Sequence, residues 1–304
     1  MRPLKVGIQL PEVEREVRWP ELRDIARTAE AVGFDGLWLG DHLLYRRPGD
    51  HARGPWEVWT TLAGLAEATE RVALGPLVAS TSFHDPAMLA KMATTVDEIS
   101  GGRLILGLGA GWNETEYRAF GFPFDQRISR FEEAFTIIRT LLREGAIDFE
   151  GRFYQARDCE LLPPGPRPGG PPLMVGSIGP RMLRITMPHV DLWNVWFADT
   201  GNAPAGVAPL RELVDTTCRE VGRDPATVAR TVAVLVQLPG GTGRARGDAG
   251  RPAVTPLAGS SEQIAAGLRA YADEGISHVQ VVLDPITAAA VETMGAVIER
   301  LDRA

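Results

Sequence analysis

PELRDIARTAEAVGFDGLWLGDHL, residues 20–43, is the stretch from which the fold is read. Pro20 opens a helix, and Leu22, Ile25, Ala26, Ala29 and Val32 fall on one face at helical spacing. Gly33 stops it, because the position after a helix favours a left-handed residue and glycine adopts that conformation without steric cost. Gly36–Gly40 then reads as a short buried strand, and it ends on Asp41-His42. The unit is therefore helix, glycine stop, apolar strand, polar strand end. A partial echo recurs near the other end of the chain: AEAVGFDGLWL at 29–39 resembles AYADEGISHVQVV at 270–282.

Outward from this unit the same rhythm repeats. Leu4–Leu10 reads as the first strand and Val72–Val78 as the third, after a helix over 56–69. Asp85–Ser100 is helical, Leu104–Gly109 is the fourth strand, and a helical stripe joins Ile128, Phe131, Phe135, Ile138 and Leu142. Pro172–Gly176, Val190–Trp196, Val232–Leu238 and Val279–Leu283 complete eight strands, with helices over 180–187, 208–222, 260–274 and 286–302. Strands alternating with helices imply parallel pairing, and strands apolar on both faces imply a sheet covered by helices. Eight uniform units in 304 residues predict a single α/β domain, a (β/α)8 TIM barrel over 1–304 with insertions after strands four and seven. A doubly wound open sheet is the rival. Residues 145–171 and 239–258 read as long loops, each either a lid or a solvated insertion; 197–207 is also loop-like.

Composition excludes several classes of function. A net charge of −7 gives no reason to expect nucleic acid or an anionic membrane as partner. No apolar run reaches membrane-spanning length, and no secretory signal is visible before the first strand. Cys159 and Cys218 form no CxxC pair, so a reducing cytoplasm is the default. Lys5 and Lys91 are the only lysines, and both fall inside secondary structure, which argues against Schiff-base chemistry. The five histidines show no short metal-binding spacing, so no metal is expected.

In a barrel of this type, functional residues cluster just after the strands. Asp41-His42 follows strand two; a histidine there serves as acid or base near neutral pH, or else as a cap or core residue. Gly109-Ala110-Gly111-Trp112 follows strand four, where glycines admit a flat ligand or merely relieve crowding. Gly176-Ser177-Ile178-Gly179-Pro180-Arg181 follows strand five and opens a helix, a setting that suits a phosphate or a plain tight turn. Trp196 and Asp199 follow strand six.

These stretches, with RVALGPLV at 71–78, HDPAMLAKMATTVDEISGGRLILGLGAGWNETEY at 84–117 and FDQRISRFEEAFTIIRTLL at 124–142, resemble the bacterial luciferase-like superfamily. Within it, they resemble the oxidoreductases that use the deazaflavin coenzyme F420; Asp-His rather than Glu-His at 41–42 points to that branch. The resemblance implies a tricyclic ring across the barrel mouth and a non-proline cis peptide at Leu77–Val78 behind it. It implies that Leu77, Val78 and Ser80 back the ring, that Gly109, Ala110 and Gly111 line its edge, and that Gly176, Ser177, Ile178, Gly179 and Arg181 hold the phosphate. His42 is then the proton donor or acceptor, and Asp41 its orienter or a cofactor contact. Trp112 and Trp196 wall the substrate space; Trp56 and Trp59 either join them or serve only in packing. The sugar-phosphate dehydrogenases of this family carry a glutamate after the strand-four turn. Trp112 stands there instead, with Glu114 displaced, so that substrate does not carry over.

The expected activity is hydride transfer between F420 and a small organic substrate, by a cytoplasmic homodimer. The alternatives are an FMN-dependent monooxygenase and a flavin- or deazaflavin-binding protein without turnover.

Overall fold

A computed structural model describes residues 2, 4–46, 51–241 and 254–303. The barrel strands are β1 (Lys5–Gln9), β2 (Gly36–Leu39), β3 (Ala73–Pro76) with β4 (Ala79–Ser80), β5 (Leu106–Gly109), β8 (Leu173–Gly176), β9 (Leu192–Val195), β10 (Ala229–Gln237) and β11 (His278–Asp284). Their order is β3-β2-β1-β11-β10-β9-β8-β5-β4, with every pairing parallel. The two ends meet. Ile105 N donates to Leu74 O at 2.8 Å, and Leu74 N donates to Arg103 O at 3.0 Å, so the sheet closes between β3 and the entry to β5. This is the (β/α)8 barrel expected from the alternation.

The helices form the outer layer: α1 (Trp19–Ala31), α2 (Val58–Ala68), α3 (Pro86–Ile99), α4 (Glu114–Phe120), α5 (Arg127–Glu144), α6 (Pro180–Thr186), α7 (Val207–Glu220), α8 (Ser261–Asp273) and α9 (Ala288–Asp302). Local chemistry sets their starts. Asp85 accepts from Ala87 N and Met88 N ahead of Pro86, and Ser260 with Gln263 forms a capping box. Leu22, Ile25, Ala26 and Ala29 of α1 are buried as the spacing required. No described helix is long and apolar enough to cross a membrane.

Two expectations need correction. Strand three is not one continuous strand. Its lower piece, β3, pairs with β2, while its upper piece, β4, pairs with β5, and the Leu77–Val78 peptide between them is cis. The long connection over 145–171 is not simply a loop. It holds an antiparallel hairpin, β6 (Ala146–Glu150) and β7 (Gln155–Glu160). The turn of that hairpin is held by Glu133 of α5, whose carboxylate accepts from the backbone N–H groups of Arg152, Phe153 and Tyr154. That tie is tertiary, which is why local sequence reading does not show it.

Inside the barrel, Trp38, Met174 and Leu192 meet from β2, β8 and β9, with Leu77, Val78 and Ile105 packed against them. Glycines make the room. A Cβ on Gly75 would lie 2.7 Å from the Trp38 ring, and one on Gly7 would lie closer still to its Nε1. Trp38 thus plugs the barrel interior. A larger apolar cluster, including Ile25, Leu62 and Leu89, fills the space between strands and helices.

Candidate active site

The C-terminal ends of the strands open into one cavity of about 760 Å3. Its walls come from opposite halves of the barrel mouth. One half is made of Leu77, Val78, Ser80, the turn Gly109–Gly111 and the turn Gly176–Gly179. The other is made of residues 12–15 after β1, Asp41, His42 and Tyr45 after β2, Trp196 and Asp199 after β9, and 284–287 at the end of β11.

The first half is shaped by missing side chains. Val78 projects towards β5 and β8, and a Cβ on Gly109 would lie 2.7 Å from its Cγ2, one on Gly176 3.1 Å from its Cγ1. Gly111 is held at φ +72, and a Cβ there would crowd Ser80 Oγ at 2.5 Å. Tyr117, wholly buried, donates its hydroxyl to Ala110 O at 2.7 Å and lies 3.2 Å from Ser80 Oγ. Arg127 Nη1 donates to Gly111 O at 2.8 Å. The next turn is fixed by Trp193, whose Nε1 donates to Ser177 O at 2.8 Å. The result is a smooth apolar seat bordered by anchored backbone.

His42 faces this seat from the strand-two loop. Its Nδ1 lies 3.0 and 3.1 Å from the two oxygens of Glu116, a fully buried carboxylate on α4. The same carboxylate accepts from Leu43 N at 2.7 Å and Leu44 N at 3.0 Å. On the cavity side, His42 Nε2 is 3.7 Å from Glu12 Oε1, and Glu12 also accepts from Gln9 Nε2 and the Tyr45 hydroxyl. Burial alone would lower the His42 pKa. The charge of Glu12, the hydrogen bond and charge of Glu116 and the charge of Asp41 outweigh it, so the imidazole is held above its ordinary value.

Asp41 is turned elsewhere. It accepts from Ser80 N at 2.8 Å and pairs with His84 Nε2 at 3.1 Å. The hydrogen-bonded orienter of His42 is therefore Glu116, while Asp41 lines the cavity and ties β2 to β4. Arg181 is also displaced from its expected place: it reaches Glu132 at 2.8 Å and Ser129 at 3.0 Å on α5 and does not line the cavity. Arg127 does line it. Trp112 stands half exposed at the mouth, edge-on to His42 with ring centroids 5.6 Å apart, and Trp196 lines the wall against Phe197. Trp56 donates to Val17 O and Trp59 is buried beside His84; neither lines the cavity.

All the other residues expected at the site line this cavity: Asp41, His42, Leu77, Val78, Ser80, Gly109 to Trp112, Gly176 to Gly179 and Trp196. Glu12, Glu116, Tyr45 and Arg127 were not singled out from sequence. Glu116 lies within the NETEY stretch, two residues from the Glu114 that attracts attention, and helical phase turns it inward. No residue of 145–171 lines the cavity. The other lid expectation, over 239–258, falls mostly on 242–253, outside the described residues. Among the described residues, no group of three His, Cys, Asp or Glu is placed to hold a metal ion.

Comparisons with known proteins bear on the family and the fold. The description of the luciferase-like monooxygenase family matches residues 5–254. The chain is 32% identical over 182 residues to a 5,10-methylenetetrahydromethanopterin reductase of Archaeoglobus fulgidus, covering 60% of this chain and 50% of that protein. It is 37% identical over 172 residues to an F420-dependent glucose-6-phosphate dehydrogenase of Intrasporangium calvum, covering 54% of this chain and 50% of that one. The matched stretch thus spans about half the length of these curated relatives. Among solved structures, an F420-dependent secondary alcohol dehydrogenase with an F420-acetone adduct superposes over 99% of both chains, with a TM-score of 0.81 at 18% identity. The F420-dependent tetrahydromethanopterin reductase of Methanopyrus kandleri gives 0.77, also at 18% identity, over 98% of this chain and 99% of that one. At these identities the structural likeness is one of fold. With most of its length matched by one family, this chain belongs to the luciferase-like monooxygenase family.

Proposed function

We propose that this protein is an oxidoreductase that binds coenzyme F420 at the barrel mouth and moves a hydride between it and a small organic substrate. The observation that carries the reading is the shared cavity: a smooth glycine-bordered seat on one side, and a half-buried histidine supported by carboxylates on the other. Relatives named for F420 dependence support the choice of cofactor.

The residues present fit such a group. Bare Cα positions at Gly109 and Gly176 keep side chains off Val78, leaving a surface on which a flat ring can lie. A Cβ on Gly179 would meet nothing nearer than Ser177 Oγ at 3.7 Å, so the turn before α6 has open space at its backbone. Ser177, Ile178 and Gly179 would hold the phosphate, with Arg127 in the role first expected of Arg181. When bound, F420 supplies hydride donor or acceptor chemistry. The chain supplies position and the proton. Leu77, Val78 and Ser80 back the ring, Gly109 to Gly111 border it, and His42 Nε2 gives or takes the proton that accompanies hydride transfer. Trp112 and Trp196 enclose the substrate.

Titration of the apo-protein with F420 and with FMN, followed by single-turnover absorbance, tests this directly. Tight FMN binding without F420 binding favours the monooxygenase reading of the same fold. Binding of F420 without oxidation or reduction of any alcohol, ketone or imine in a broad panel favours a carrier. The further expectation is a homodimer working in the cytoplasm, with no nucleic acid or membrane as partner; static light scattering tests the homodimer by reading its mass.

A further inference from the structure

We infer that Glu116 is the positioning residue of the proton-transfer group, and that the single turn Glu116–Tyr117 of α4 sets the spacing between His42 and the ring seat. The inference rests on the functional reading for what the spacing is used for, but its geometry stands alone.

Three nitrogens converge on the Glu116 carboxylate: His42 Nδ1, Leu43 N and Leu44 N, at 2.7 to 3.1 Å. An ionised carboxylate only accepts hydrogen bonds, so Nδ1 must carry a proton and the neutral imidazole has its lone pair on Nε2. Nε2 is the nitrogen on the Glu12 side, where both residues line the cavity. Glu116 thus chooses the tautomer and fixes the loop that carries the ring.

The neighbouring residue faces the other way. Tyr117 binds Ala110 O and Ser80 Oγ, both on the seat. Both side chains are completely buried, so neither can swing away without breaking a packed interior. One helical turn therefore grips the proton-transfer loop with one residue and the seat with the next. The charged and titratable groups facing His42 are Glu116 from α4, Glu12 from the loop after β1, and Asp41 and Tyr45 from its own loop, with the Trp112 ring against its edge. Of these, Glu116 alone contacts Nδ1 among the described residues.

The test uses full-length protein labelled with 15N-histidine, with His42→Gln assigning one signal among five histidines. Long-range 1H–15N spectra of the wild type should show the neutral His42 protonated on Nδ1. In Glu116→Gln the His42 titration midpoint should fall by about one unit or more. The acid limb of the hydride-transfer pH profile should move with it. In Tyr117→Phe the His42 midpoint should stay within about 0.3 unit of wild type, since no charge facing His42 is removed. A neutral wild-type His42 protonated on Nε2 overturns the inference, and so does an unchanged midpoint in Glu116→Gln. A Tyr117→Phe midpoint shifted as far as that of Glu116→Gln also overturns it, because general loosening would then explain both. If Glu116→Gln does not fold, the wild-type tautomer still decides. All spectra are taken without cofactor, so a failure to bind F420 sinks the functional reading and leaves this result untouched.

Discussion

The two halves of the barrel mouth are built on different principles. The half formed by β4, β5 and β8 is defined by backbone: glycines, a cis peptide and carbonyls pinned by Tyr117, Arg127 and Trp193. The half formed by the ends of β1, β2, β9 and β11 is defined by long side chains: Glu12, Arg15, His42, Tyr45, Trp196 and Asp284. A surface made of backbone has few ways to change, because Val78 crowds any side chain at Gly109 and Gly176, and Ser80 crowds one at Gly111. A surface made of side chains can be recut by substitution without disturbing the strands beneath. Under the proposed function, the first half would hold the cofactor and the second would face the substrate.

The largest expected effect tests the group that stands between the halves. His42→Ala should slow hydride transfer by roughly 10²–10⁴-fold, the usual contribution of a general acid or base, with F420 affinity changed by no more than about threefold. Stopped-flow reduction with parallel binding titration measures both, and a wild-type rate would remove His42 from the chemistry. Next comes the seat itself. Gly109→Val forces a side chain into Val78 and should cost about 1–3 kcal/mol of folding stability, as overpacking does, together with F420 binding. Chemical denaturation and titration check it; a stable, cofactor-binding variant would show that the seat is not backbone-defined.

A smaller effect separates two arginines. Arg127→Ala should weaken F420 binding by about tenfold, in keeping with a charged hydrogen bond of 1.5–3 kcal/mol discounted for exposure, while Arg181→Ala should leave it unchanged. The reverse result would restore the expectation read from GSIGPR. The smallest concerns pH. The folded-state pKa of His42 is raised, so its contribution to stability is complete below the unfolded value of about 6.5 and is lost as pH rises through the folded value. Stability relative to His42→Gln should therefore decline on going from mildly acidic to alkaline pH. A flat difference curve would mean that Glu12 and Glu116 do not hold the imidazolium.

The glycine turns of the seat were legible in the sequence as either ligand sites or plain turns, and the family resemblance chose between the two. Gly109-Ala110-Gly111 and Gly176-Ser177-Ile178-Gly179 directly follow apolar runs, and a glycine at a strand end carries its meaning within a few residues. The partners of His42 were not legible in the same way. Glu116 lies 74 residues from it in sequence, and Glu12 lies in EVERE, a charged run that reads as ordinary surface. Asp41 looked like the orienter because it is adjacent. Asp41 instead turns to Ser80 N and His84. Arg181 sits next to the phosphate turn, but α6 carries it to the outside, where Glu132 takes it.

The sequence by itself determined the eight alternations and the parallel barrel, since hydrophobic period acts over short range, while the glycine turns alone read as either ligand sites or plain turns and only the family resemblance pointed to a seat there. Only the tertiary structure decided which carboxylate holds His42, which arginine faces the cavity and where strand three divides. Those outcomes depend on barrel closure, which brings β2, β4 and α4 together across long stretches of chain, and burial then fixes which of several nearby charges finds a partner.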